Sequence, residues 1–162
     1  MQEMVLFEAG GTPAKDKTYR IQVVRVQVVR EGSFAAYART LDNPAAAAEL
    51  VRPLLEGADR EHFLVICLNV KNRVNAVHTV SIGSLNASMV HPREVFKAAI
   101  LANAAGVILV HNHPSGDPAP SKEDRAVTAG LVQAGKLLGI PVLDHVIIGE
   151  GRHFSFRQAG LI

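Results

Sequence analysis

Short aliphatic runs alternate with amphipathic stretches along this chain, and the two periods separate into strands and helices. HFLVICLNV (62–70) and RVNAVHTVSIG (73–83) are rich in β-branched residues and flank the turn formers Lys71 and Asn72, which predicts a hairpin over 62–82. From Pro92 the apolar positions Val95, Phe96, Ala99, Ile100 and Ala102 recur with a helical period through about residue 105, and Gly106 ends that helix. VILV (107–110) is fully apolar, as expected of a strand covered on both faces, and it delivers the chain to His111. Ser121 with Asp124 three residues on resembles a helix cap, although Glu or Gln is the usual partner, and the apolar positions beyond predict a helix to about Leu138. Gly139 and Pro141 stop it. PVLDHVIIG and HFSF, joined around GEGR, read as a closing hairpin.

Upstream the signals are looser. Residues 1–18 form a leader with a GGTP turn, and YRIQVVRVQVVRE (19–31) is β-branched and partly alternating, which suggests a strand whose outer face carries arginines. NPAAAAELVRPLL opens a helix, with Asn43 as N-cap and Pro44 at the first helical position, and Pro53 is expected to end or kink it. The order β, α, β, β, α, β, α, β, β predicts an α/β fold: a mixed β-sheet flanked by helices. The expected division is an N-terminal extension with a β-strand over 1–42 and one domain over 43–162.

Composition narrows the function classes. With 162 residues, 48% hydrophobic and 20% charged, the chain has the make-up of an ordinary single globular domain. A formal charge of +2 is too small to argue for a nucleic-acid face, although Arg20, Arg25 and Arg30 recur through the early segment. The single cysteine, Cys67, allows no intrachain disulfide and sits inside an apolar run, where it reads as a small buried hydrophobe. No basic leader and no run of about 18 apolar residues occurs, so a cytoplasmic protein with no membrane span is expected.

The chemistry concentrates in HNHPSGDPAPSKED (111–124). On an extended strand His111 and His113 leave the same face with Cβ atoms roughly 6 to 7 Å apart, close enough for both imidazoles to reach one ion. Pro114 forbids a helix, and the following loop can turn the chain so that Asp124, early in the next helix, supplies a third ligand. Two imidazoles and a carboxylate are the ligand set of a catalytic zinc site, in which the remaining position is open to a water nucleophile. Ser121, one turn before Asp124, can offer a hydroxyl to an oxyanion. Taken singly, a His-x-His pair is common at strand ends and Ser-x-x-Asp is mostly a helix cap. The letters HNH are no nuclease signature, because that name describes residues spread over a larger metal-binding unit.

The ordered set His111, His113, Pro114, Ser121 and Asp124 resembles the JAMM motif of MPN-domain metalloproteases. HPREVFKAAILANAAGVILVHNHPSGDPAPSKED, with LLGIPVLDHVIIG and the closing SF, is similar to the RadC branch of that superfamily over about residues 45–162. The resemblance implies a cytidine-deaminase-like α/β domain, one Zn2+ per chain held by His111, His113 and Asp124, and an oxyanion role for Ser121. It also implies a glutamate acid/base upstream of the histidines, preceding a core strand. Glu61 fits that placement, and Glu94, in the first turn of a helix, is the rival. Two departures stand out: Asn112 replaces the Ser or Thr between the histidines of most JAMM peptidases, and the first 45 residues are too short and too β-like for the helix-hairpin-helix module usual in RadC proteins.

The expected activity is zinc-dependent hydrolysis of a peptide or isopeptide bond in a peptide or protein substrate. A DNA-associated accessory protein is the reading from a second class, and a scaffold holding zinc for structure is a third. Asp144 and His145, a polar pair at a strand entrance, are read as fixing a turn or neighbouring loop, with direct ligation the rarer use. His91 reads as a helix-start residue, while His62, His78 and His153 lack ligand spacing.

Overall fold

The computed structural model describes residues 20–83 and 90–162. Its elements are α1 (Pro44–Leu55), β1 (His62–Leu68), β2 (Val74–Ile82), α2 (Pro92–Leu101), β3 (Gly106–Asn112), α3 (Lys122–Leu138), β4 (Val142–Ile148) and β5 (His153–Ser155). The strands form one mixed sheet in the order β2-β1-β3-β4-β5, antiparallel except for the β3–β4 pair. The expected fold class is therefore the observed one.

Strand parity divides the core. Leu64, Ile66, Leu68, Ile108 and Val110 point to one face and pack against Ala47, Ala48, Leu50 and Val51 of α1. Phe63, Val65, Cys67, Val107 and Leu109 point to the other, against Val95, Phe96 and Ala99 of α2 and Val127 and Leu131 of α3. Because side chains alternate, His111 continues the row of Val107 and Leu109 and so faces α3. Cys67 is buried in this layer, and burial pushes its thiol up to about 11, consistent with a packing role.

The caps behave as their residue types dictate. Asn43 accepts the Ala46 amide at 2.8 Å with Pro44 opening α1, and His91 Nδ1 accepts the Arg93 amide at 3.2 Å at the start of α2. Gly139 ends α3 in the left-handed conformation with φ 68°.

Four expectations need correction. No described strand pairs with residues 20–38, so the strand expected over 19–31 does not form there; Tyr19 itself lies outside the described residues. β-branched composition favours a pleated surface but supplies no ladder partner, and these residues are exposed. α2 ends at Leu101 rather than near residue 105, because Asn103 turns the chain with φ 50°. Pro53 lies in the last turn of α1, which runs on to Leu55. The first hairpin closes through residues 69–73, a wider turn than Lys71 and Asn72 alone, since Asn69 Oδ1 accepts the amides of both Lys71 and Arg73 at 2.9 and 3.1 Å.

Candidate metal centre

β3 ends at the His111–Asp124 stretch, and α3 starts from it. Ser121 is the N-cap: its Oγ accepts the Asp124 amide at 3.0 Å, while Asp124 Oδ2 accepts the Ser121 amide at 2.7 Å. This reciprocal capping box fixes the Asp124 carboxylate at the head of the helix, on the side facing β3. The dipole at the helix N-terminus also favours a carboxylate there.

Three side chains converge. Asp124 Oδ1 lies 3.3 Å from His111 Nε2, Asp124 Oδ2 lies 3.4 Å from His113 Nε2, and the two Nε2 atoms are 2.9 Å apart. Ligands about 2.0 to 2.1 Å from a tetrahedral ion are separated from one another by about 3.3 Å, so this group can bind a metal ion. The proton count agrees. His113 Nδ1 meets the Asp117 carbonyl at 2.7 Å, and a carbonyl can only accept, so neutral His113 turns a lone pair on Nε2 towards the carboxylate. A carboxylate and an imidazole lone pair facing each other call for a cation between them.

The electrostatics follow from burial and neighbours. Burial alone would raise the Asp124 carboxyl, yet donation from His111 and His113 when they are protonated, their charge in that form, and the Ser121 amide hold it well below the usual carboxylate range. Burial pushes the fully enclosed His111 below its ordinary value. The hydrogen bond that a protonated His113 would donate to Asp124 raises His113, which is partly open to solvent.

Glu61 heads β1, half-buried, and its charge favours the protonated forms of both His111 and His113, so it acts electrostatically on both rings. Glu94 has other company: it pairs with Lys97 at 2.5 Å on an exposed face of α2, and that pairing lowers its carboxyl. A groove of about 760 Å3 opens on the His113 side, bounded by the loop at 114–116, Gly149 and Glu150, and α1 residues such as Glu49 and Pro53.

Asp144 and His145 lie outside the ligand group. Asp144 ties the chain end together: its Oδ1 accepts the amides of His145 and Arg157 at 2.7 and 3.0 Å, and its Oδ2 accepts the Ser155 hydroxyl at 2.6 Å. His145 is buried behind His111, with Nε2 2.8 Å from His111 Nδ1 and Nδ1 2.6 Å from the Thr128 hydroxyl. Phe156 stacks on its ring, and Phe63 stacks on His111. Thr128 has no ligand-like spacing in sequence, so residue-type reasoning misses it. The visible signals were a polar pair inside the apolar run VLDHVII and a threonine one helical turn past Asp124.

Comparison with known proteins agrees with the geometry. The family described as RadC-like JAB domain matches residues 41–161. A UPF0758 protein of Caldanaerobacter subterraneus subsp. tengcongensis is 56% identical over 121 residues, covering 75% of this chain and 52% of that protein. A UPF0758 protein of Methanosarcina barkeri is 52% identical over 124 residues, 76% of this chain and 54% of its own length. One from Desulforudis audaxviator is 49% identical over 154 residues, 94% of this chain and 66% of its own. The chain spans about half the length of the first two of these relatives. No helix among the described residues is long and apolar enough to cross a membrane.

Proposed function

Because the chain belongs to the RadC-like JAB domain family, we propose that His111, His113 and Asp124 hold a zinc ion and that the protein hydrolyses peptide or isopeptide bonds. The observation that carries this reading is the convergence of two imidazole Nε2 atoms and a carboxylate within 3.4 Å of one another. Zinc bound there supplies Lewis acidity, polarising a carbonyl and bringing the pKa of water to about 7. Glu61 takes the proton from the attacking water and returns it to the leaving amine. Ser121 keeps its hydroxyl proton for the developing oxyanion, since its oxygen only accepts from the Asp124 amide. The groove beside His113 receives the peptide chain, and Asn112 and residues 114–116 form its inner wall.

The test is a peptide-library screen with zinc-loaded protein, followed by Glu61→Gln and Glu94→Gln. Glu61→Gln should retain zinc and lose about 10²- to 10⁴-fold in turnover, while Glu94→Gln stays active. Full activity in Glu61→Gln would remove it from the mechanism. One observation favours a second reading, association with nucleic-acid phosphates: Arg20, Arg25 and Arg30 are all exposed within one short segment. Binding that weakens steeply with salt would support that reading, and a flat salt dependence would dismiss it.

A further inference from the structure

We propose that His145 and Thr128 are positioning residues of the metal centre, fixing the tautomer in which His111 turns a lone pair towards the ion. The inference rests on the metal-binding reading of His111, His113 and Asp124, and it concerns two residues outside that ligand group.

Thr128 sets the direction of the hydrogen bonds. Its Oγ1 lies 2.5 Å from the main-chain carbonyl of Asp124, one helical turn earlier, and two oxygens that close share a hydrogen. The carbonyl has none to give, so the hydroxyl donates. Having spent its proton, Oγ1 can only accept from His145 Nδ1, 2.6 Å away. Neutral His145 then carries its proton on Nδ1 and a lone pair on Nε2. His111 Nδ1, 2.8 Å from that lone pair, must donate to it. The remaining nitrogen of His111, Nε2, is left bare and faces Asp124 and His113.

Every hydrogen in this series points the same way, from His111 through His145 and Thr128 to the Asp124 carbonyl. The series begins on one ligand and ends on the main chain of another, so ring orientation and helix position are set together. The opposite orientation is costly. With its proton on Nε2, His145 would donate to His111 Nδ1 and push the His111 proton onto Nε2, where the ion belongs. Thr128 would then face two acceptors with one proton.

No neighbour among the described residues relieves that cost. His111, His145 and Thr128 are each 1% exposed or less, so bulk water offers no alternative partner. The His145 ring is clamped, with Phe156 stacked at 4.9 Å and Phe63 edge-on at 5.4 Å. Thr128 is β-branched, which limits its χ1, and the rotamer seen here reaches back to the carbonyl four residues earlier. Metal-ligating histidines usually donate their second N–H to a carboxylate, carbonyl or water, and losing such a partner weakens metal binding about 10- to 100-fold. Here a neutral imidazole fills that role, and it accepts only because Thr128 directs its other nitrogen.

Thr128→Val keeps the side-chain volume and removes the hydroxyl. The full chain would be compared with wild type in two ways: zinc affinity by competition with a chelator, and the His111 tautomer by 15N NMR of metal-free protein. Thr128→Val should bind zinc about 10- to 100-fold more weakly and show mixed His111 tautomers. Thr128→Ser, which restores the hydroxyl, should recover both. His145→Gln, whose amide oxygen can accept from His111, should retain more affinity than His145→Ala. A folded Thr128→Val with wild-type zinc affinity and an unchanged His111 tautomer would overturn the proposal. Wild-type protein with no zinc affinity would instead overturn the metal reading beneath it.

Discussion

Asn112 grips the peptide groups on both sides of Glu61: its Oδ1 accepts the His62 amide at 2.7 Å and its Nδ2 donates to the Arg60 carbonyl at 3.0 Å. The side-chain amide thus continues the β1–β3 ladder one step past its last backbone pairs, using a donor and an acceptor on separate atoms. A Ser or Thr at this position, as in most JAMM peptidases, has a single shorter hydroxyl and cannot span the two groups in the same way. The asparagine holds the main chain that carries Glu61, and both of its amide hydrogen bonds go to that main chain.

Asn112→Ala should therefore separate activity from metal binding. Zinc content should stay at the wild-type level, while turnover falls at least about tenfold, part of the about 10²- to 10⁴-fold a placed acid/base supplies. Two part-buried backbone groups lose their partner, so stability should fall by about 1 to 3 kcal/mol. Steady-state kinetics beside metal analysis check this, and unaltered turnover would release Glu61 from dependence on Asn112.

Gly149 faces the loop after His113 at close range. A Cβ built on Gly149 would lie 2.3 Å from the Gly116 carbonyl oxygen and 2.7 Å from Pro118 Cδ, contacts no methyl group can make. That loop is anchored by the Glu150 amide on the Gly116 carbonyl at 2.9 Å, and it carries the Asp117 carbonyl that sets the His113 tautomer. Gly149→Ala should displace the loop and weaken zinc binding more than it lowers the thermal midpoint. Chelator competition and calorimetry measure the two effects, and unchanged affinity would show that His113 does not depend on this loop.

Asp144 acts on a different property. Its carboxylate collects the Ser155 hydroxyl and the amides of His145 and Arg157, and all but its edge is buried. Asp144→Ala leaves those donors without partners and should cost about 1 to 3 kcal/mol or more, with one zinc per chain still bound by the folded fraction. Denaturant titration with metal analysis distinguishes this outcome from loss of a ligand, which would abolish binding in folded protein.

The metal-free protein should lose stability as pH falls from about 7 to 5. Burial lowers both His111 and His145 in the folded state. Their contribution is present above the unfolded value of about 6.5 and lost as pH falls through it, because the unfolded chain takes up protons that the folded one refuses. Asp124, held low by its hydrogen bonds against the effect of burial, adds a contribution that survives until the ordinary carboxylate range near 4. His113, raised by its hydrogen bond with Asp124, works the other way and offsets part of the loss. Denaturant midpoints across this range test the sign; a midpoint that rises on acidification would contradict it.

Much of this architecture is legible in the sequence because local signals and global packing agree. HFLVICL and VILV are apolar on both faces and become two of the three interior strands, and the parity of His111 and His113 follows from the same alternation. Asn43, Pro44, Ser121 and Gly139 mark helix ends through local hydrogen bonding and backbone geometry, which needs no tertiary partner. The misses need such partners. IQVVRVQVVR has strand composition but no described strand to pair with, and the roles of His145 and Thr128 depend on groups 34 and 17 residues apart in sequence. Asn112 is likewise read from sequence as a departure from a motif, and only its contacts 50 and 52 residues away explain it.

The most direct test is the metal content, by mass spectrometry, of full-length protein purified without added metal or a histidine tag, beside a folded His113→Ala variant. The account predicts about one zinc per chain in the wild type and a loss of it in the variant, whose Asp124 and His111 remain. A folded wild type that takes up no zinc even when supplied, or a His113→Ala variant that holds zinc as tightly, would contradict it.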